Sequence, residues 1–131
     1  MASQNLLKPS GVTTRKKSKT NETTAQILKF LTFDIRAFVW RNNVLPVPLP
    51  GGRGFRPGSK LGVPDIIGIL PEWGKMAGGT FIGVEVKTGK DKVRPEQEGF
   101  HTQARKLGAI ILIVKDFKDF ETQWQQLTKN L

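Results

Sequence analysis

Cysteine is missing from the 131-residue chain. Disulfide bonds and thiolate metal sites are thereby excluded, and the composition suits a reducing cytoplasm. Long apolar runs are missing too. The longest uninterrupted aliphatic stretch, Ile110 to Val114, is far too short to cross a bilayer. The N-terminus carries no apolar core of a secretory signal. A cytoplasmic location and no membrane partner are therefore expected. Acidic residues are lacking in two stretches. Residues 1–20 hold Lys8, Arg15, Lys16, Lys17 and Lys19, and residues 41–60 hold Arg41, Arg53, Arg56 and Lys60. These two stretches carry all but one unit of the net charge of +10. Basic charge concentrated in this way points to a polyanion, nucleic acid ahead of any other.

The length suits one domain, and a hydrophobic content of 37% is enough for a single core. Residues 1–20 have few large apolar side chains and no periodicity. They are expected to form a disordered basic tail, with the folded domain over 21–131. Thr20-Asn21-Glu22 offers a cap and a first-turn acid, and Ile27, Leu28, Leu31 and Ile35 follow at helical spacing. A helix from about 21 to 34 is predicted. Residues 37–43 are rich in aromatic and β-branched side chains and read as a strand. Four prolines and four glycines between 45 and 60 exclude regular structure there. The basic half of that loop is expected to touch the partner, and its Pro-rich half to act as an arm toward a neighbouring subunit. Two further strands, 64–70 and 80–87, form an antiparallel hairpin. Pro95 opens a helix with Phe100, Ala104 and Leu107 as its apolar stripe. Ala109 to Val114 is a continuous aliphatic strand, for which burial on both faces is expected. Asp116 or Asp119 can cap a last helix bearing Phe120, Trp124 and Leu127. The sum is an α/β domain, a small mixed sheet flanked by helices, whose last strand joins through a parallel crossover.

The chemistry concentrates between Gly79 and Gly89. Ile82, Val84 and Val86 alternate with Glu85 and Lys87. Residues i and i+2 of a strand share a face, roughly 6.5 Å apart along the chain. One face is thus apolar, and the other presents a carboxylate and an ammonium. Asp65 opens the preceding strand, and a hairpin brings the start of one strand beside the end of the next. Two close carboxylates repel, and a hard divalent cation relieves them. Mg²⁺ or Mn²⁺ held by Asp65 and Glu85, with a carbonyl near Val86 as a further ligand, would neutralise a phosphodiester and activate water. Lys87 would lie beside it to orient water or stabilise developing charge.

Pro64-Asp65, followed by Glu85-Val86-Lys87, resembles the signature of the PD-(D/E)XK nucleases. The element order from 21 to 114, αβββαβ, is similar to that restriction-endonuclease-like core, with a C-terminal helix added after it. The closer resemblance is to the VRR-NUC branch, the virus-type replication-repair nucleases. It is carried by Glu22, Trp40-Arg41-Asn42, Gly62-Val-Pro-Asp65, Ile82-Gly-Val-Glu-Val-Lys87, Pro95-Glu-Gln97 and Gly108-Ala-Ile-Ile. The Pro-rich stretch 45–50 departs from that pattern. The resemblance implies Asp65 and Glu85 as metal ligands, Lys87 as the catalytic lysine, Glu22 as an accessory acid and Gln97 as a residue that arranges the site. It implies a deoxyribonuclease of replication or repair acting on branched DNA such as Holliday junctions. Symmetric cutting would require a homodimer.

Plainer readings stand beside these. Glu85 and Lys87 alone suit a solvated ion pair on an edge strand equally well, and Asp65 with its flanking pattern tips the reading toward a site. Glu22 can be no more than a first-turn acid, and Gln97 no more than a cap. His101, the single histidine, is expected on an exposed helix surface. Trp73, Phe100 and Trp124 are read as packing residues. Arg41, Arg53, Arg56, Lys60, Lys90 and Lys92 are the candidate DNA contacts, positioning the backbone without reading sequence. A nucleic-acid-binding module without catalysis is the alternative function.

Overall fold

The computed structural model describes residues 18–43, 46–56, 58 and 60–131; the expected tail, up to residue 17, lies outside them. Helix α1, Lys19–Lys29, begins two residues before the predicted start, because the Ser18 hydroxyl accepts from Asn21 N–H. Phe30–Asp34 continues it as a π-helical turn, in which Ile35 N–H reaches the Phe30 carbonyl. The wider turn keeps both Leu31 and Ile35 in the core. Arg36, at a φ of 63°, then ends the helix in the left-handed conformation common just past helix C-termini.

A four-stranded sheet follows, in the order β1-β4-β5-β6, with β1 Phe38–Arg41, β4 Ile66–Leu70, β5 Thr80–Val86 and β6 Ile110–Val114. The pairs β1/β4 and β4/β5 are antiparallel and β5/β6 is parallel. Helix α2, Pro95–Lys106, forms the β5-to-β6 crossover, and α3, Phe117–Lys129, closes the chain. The Asp116 carboxylate caps α3 by accepting from Asp119 N–H. Helices α1 and α3 cover one face of the sheet. There Ile27, Leu31, Ile66, Leu70, Ile82, Val84, Val86, Val114, Phe120 and Trp124 form the core. Trp73 packs on Trp124 at 6.0 Å, the packing role expected of both.

Two expectations need correction. The stretch 45–60 is not free of regular structure: Val47–Pro48 (β2) and Phe55–Arg56 (β3) pair as a short antiparallel ribbon. Leu49 N–H donates to the Gly54 carbonyl, and the left-handed glycines 51, 52 and 54 make the turn. A two-stranded ribbon leaves outward-facing positions where proline loses no ladder bond. Strand β6 is a sheet edge rather than a strand buried throughout; Ile111 and Val114 are buried while Ile110, Leu112 and Ile113 are half-buried.

Candidate active site

The second face of the sheet carries the polar chemistry. Paired residues share a face, so the registers define rows across it. One row runs Phe38, Ile69, Phe81, and the next runs Trp40, Ile67, Gly83, Ile111. Continued by one pair, the third row sets Asn42 beside Asp65, whose carbonyl takes Asn42 N–H at 2.7 Å, and Asp65 beside Glu85. Asp65 Oδ2 also accepts from the Val86 N–H at 2.8 Å, which fixes the side chain against β5. The sequence-predicted carboxylate pair is therefore assembled by the β4/β5 register.

Glu85 is only 2% exposed, because α2 lies over it. Gln97, in the first turn of α2, uses both ends of its amide. Its oxygen accepts from Arg94 N–H at 2.8 Å, and its nitrogen donates to Glu85 Oε2 at 3.0 Å. Lys87 Nζ approaches the same oxygen at 3.5 Å. One turn later His101 Nε2 stands 4.0 Å from Glu85 Oε1, and both atoms are buried without a hydrogen-bond partner. His101 is thus an inward-facing residue and not the exposed one expected. It occupies the same helical stripe as Gln97, Phe100 and Ala104, and that i, i+4 spacing from Gln97 was the available signal.

Burial, and secondarily the Asp65 charge, raises the Glu85 carboxyl to about 7 against the pull of Lys87. Burial, followed by the Arg105 charge, lowers His101 below its ordinary value. A carboxyl that titrates near neutrality beside a second carboxylate suits a site that takes up a cation or a proton.

No protein-family model matches the sequence. No curated protein is similar to it. Two solved structures are. One, described as a VRR_NUC domain, is 24% identical over 83% of this chain and 97% of its own, with a TM-score of 0.57. The other, a VRR_NUC domain protein, is 18% identical over 88% of this chain and 92% of its own, with a TM-score of 0.52. The chain has the VRR-NUC fold.

Within the VRR-NUC fold, and among the described residues, the remaining expected ones form no hydrogen bond or ion pair with either carboxylate. Glu22 is exposed on α1, whose first turn reaches the strand exit through a 2.6 Å contact between the Thr20 and Thr88 hydroxyls. Among the described residues no three Asp, Glu, His or Cys converge, so Glu22 is not gathered with Asp65 and Glu85. Arg41 turns to the other side of β1 and donates to Asn21 Oδ1 and the Asn21 carbonyl at 3.4 Å each. Arg53, Arg56, Lys60, Lys90 and Lys92 are exposed, and among the described residues none forms an ion pair. A groove of about 930 Å³ between Leu61, Phe81 and Phe100 is lined by neither Asp65 nor Glu85. Its apolar walls carry no chemistry of the site.

Proposed function

We propose that the chain is a metal-dependent deoxyribonuclease, hydrolysing phosphodiester bonds at Asp65, Glu85 and Lys87. The observation that carries this reading is the Asp65–Glu85–Lys87 cluster clamped by Gln97. The VRR-NUC fold of the two solved structures supports it. The residues fit a hard divalent cation: two facing carboxylates, one of them with an unpartnered buried oxygen. Mg²⁺ or Mn²⁺ would be held by Asp65 and Glu85, with the Val86 carbonyl as a further ligand and Glu22 acting through the outer ligands. Bound there, the ion supplies charge neutralisation and an activated water.

The chain's own groups do the rest. Gln97 fixes the orientation of Glu85. The Lys87 ammonium stabilises charge that develops on the phosphate. Arg53, Arg56, Lys60, Lys90 and Lys92 hold the DNA backbone, and Arg41 braces the start of α1 beside it. Branched DNA such as Holliday junctions, in replication or repair, is the substrate the resemblance suggests. One site cuts one strand at a time, so symmetric cutting calls for a homodimer.

A cleavage panel of branched and linear DNAs with Mg²⁺ or Mn²⁺ tests this. Lys87→Ala and Asp65→Ala should each lower cleavage by at least about 100-fold, with DNA affinity largely kept. Full divalent-dependent cleavage by both variants would overturn the site assignment. Affinity without cleavage in the unmodified chain would favour a non-catalytic binding module.

A further inference from the structure

Strand β1 is an open sheet edge, and its outer face is aromatic. Phe38 is 70% exposed and Trp40 44%, with ring centroids 5.3 Å apart. Ile69, paired with Phe38, is 42% exposed beside them. Of the chain's other tryptophans, Trp124 lies in the core and Trp73 packs against it, half-buried. Large exposed rings at one place on a small domain mark a binding surface.

The position of the rings narrows the ligand. Trp40 lies on the same face as Asp65, two residues along and one strand across. Ladder geometry puts their Cα atoms roughly 8 Å apart. Helix α2 packs on β5 and β6 on this face, with Gln97 and His101 at Glu85 and Phe100 at Phe81, while Phe38 and Trp40 of β1 stay exposed. A polynucleotide whose phosphate rests at the carboxylates therefore has an exposed sheet face leading toward Trp40. The stretch from Arg41 to Lys60 contains no acid, so the flank of the rings repels no phosphate.

We infer that Phe38 and Trp40 form a stacking site for an unpaired base next to the cleaved phosphate. The inference rests on the nuclease reading and deepens it, because it selects a substrate class. Bases inside a duplex have both faces stacked already. A base at a gap, flap, frayed end or branch point has a free face, and an indole offers it a partner. The preferred substrate then carries at least one unpaired nucleotide beside the scissile bond.

The test is tryptophan fluorescence without divalent ions, so that binding is read apart from cleavage. Single-stranded oligonucleotides and duplexes with one unpaired base should quench Trp40, and blunt duplex should not. Trp40→Leu should abolish the quenching and weaken single-strand binding by about 5- to 150-fold. Trp40→Phe should retain most of the affinity, which separates stacking from a fold defect, and Phe38→Leu should give a partial loss. Equal weakening toward blunt duplex and single strands overturns the inference. So does a Trp40→Leu chain that changes from dimer to monomer with its single-strand preference intact, since the face would then be a subunit interface. Quenching without cleavage by any metal would remove the nuclease reading and leave the stacking site. Cleavage without quenching would remove the stacking site alone.

Discussion

Glu85 concentrates the physical tension of the molecule. Its carboxyl is buried against α2, with Asp65 as a repelling neighbour and Lys87 as an attracting one. The unfolded glutamate titrates near 4.5 and the folded one near 7. Below 4.5 both states hold the proton and the stabilisation is fully present. As pH rises toward 7 the unfolded chain releases a proton that the folded chain keeps, and stability falls. The loss amounts to something on the order of 3 kcal/mol. His101 acts in the opposite sense: its folded form resists protonation, so its contribution is lost as pH falls. Chemical denaturation from pH 5 to 8 in chelator separates the two. Glu85→Gln should gain on the wild type steadily as pH rises, because the amide has no charge to bury. Mn²⁺ at pH 8 should restore the wild type and leave Glu85→Gln unmoved. Parallel stability curves for the two chains would contradict the burial account of Glu85.

Element packing decides whether the carboxylates meet, and glycines allow the tightest approaches. Gly62 has a φ of 82°, and a Cβ there would sit on the Glu96 carbonyl oxygen in the first turn of α2. That contact ties the segment leading to Asp65 to the helix that holds Glu85. Gly89, at a φ of 61°, has open space around it. Gly89→Ala should cost about 1–2 kcal/mol from backbone strain alone. Gly62→Ala should cost at least about 2 kcal/mol more and also weaken Mn²⁺ binding, as calorimetry on both variants would read. Equal costs would mean that the Gly62 approach is slack.

The same level marks the limit of what the sequence reveals. Alternation of Ile82, Val84 and Val86 with Glu85 announces a two-faced strand, and the hairpin that joins it to 64–70 brings Asp65 alongside. Both follow from the period of a strand and are local. Which way α2 turns its histidine depends on how the helix docks, and helical spacing leaves that open until a sheet covers one side. Likewise β1 and β6 look like ordinary strands in sequence. Only the strand order makes β1 an open edge, which exposes Trp40, and makes β6 an edge flanked by helices. The β2/β3 ribbon escapes notice because proline suppresses the strand signal while leaving the ladder positions at Leu49 and Gly54 usable.

At the scale of the whole molecule, charge is arranged rather than simply abundant. The sheet and helices are close to neutral, and the excess lies in the N-terminal stretch and the 41–60 segment. Basic charge concentrated in this way favours a polyanion such as the phosphate backbone proposed as substrate. Each cation that meets a phosphate releases counterions, so affinity must fall with salt. If Arg53, Arg56, Lys60, Lys90 and Lys92 each meet one phosphate, they alone would give a slope of about −4.5 in log K against log salt on duplex DNA. The full chain should be at least that steep, whatever the DNA sequence, because backbone contacts read none. Arg53→Ala combined with Arg56→Ala should flatten the slope by about 2 and weaken linear and branched DNA alike. The same pair of changes should leave the single-strand preference ascribed to Trp40 in place, since stacking is not a counterion effect. A slope unchanged by the double variant would move the phosphate path off the β2/β3 ribbon and onto the turn before α2 that carries Lys90 and Lys92.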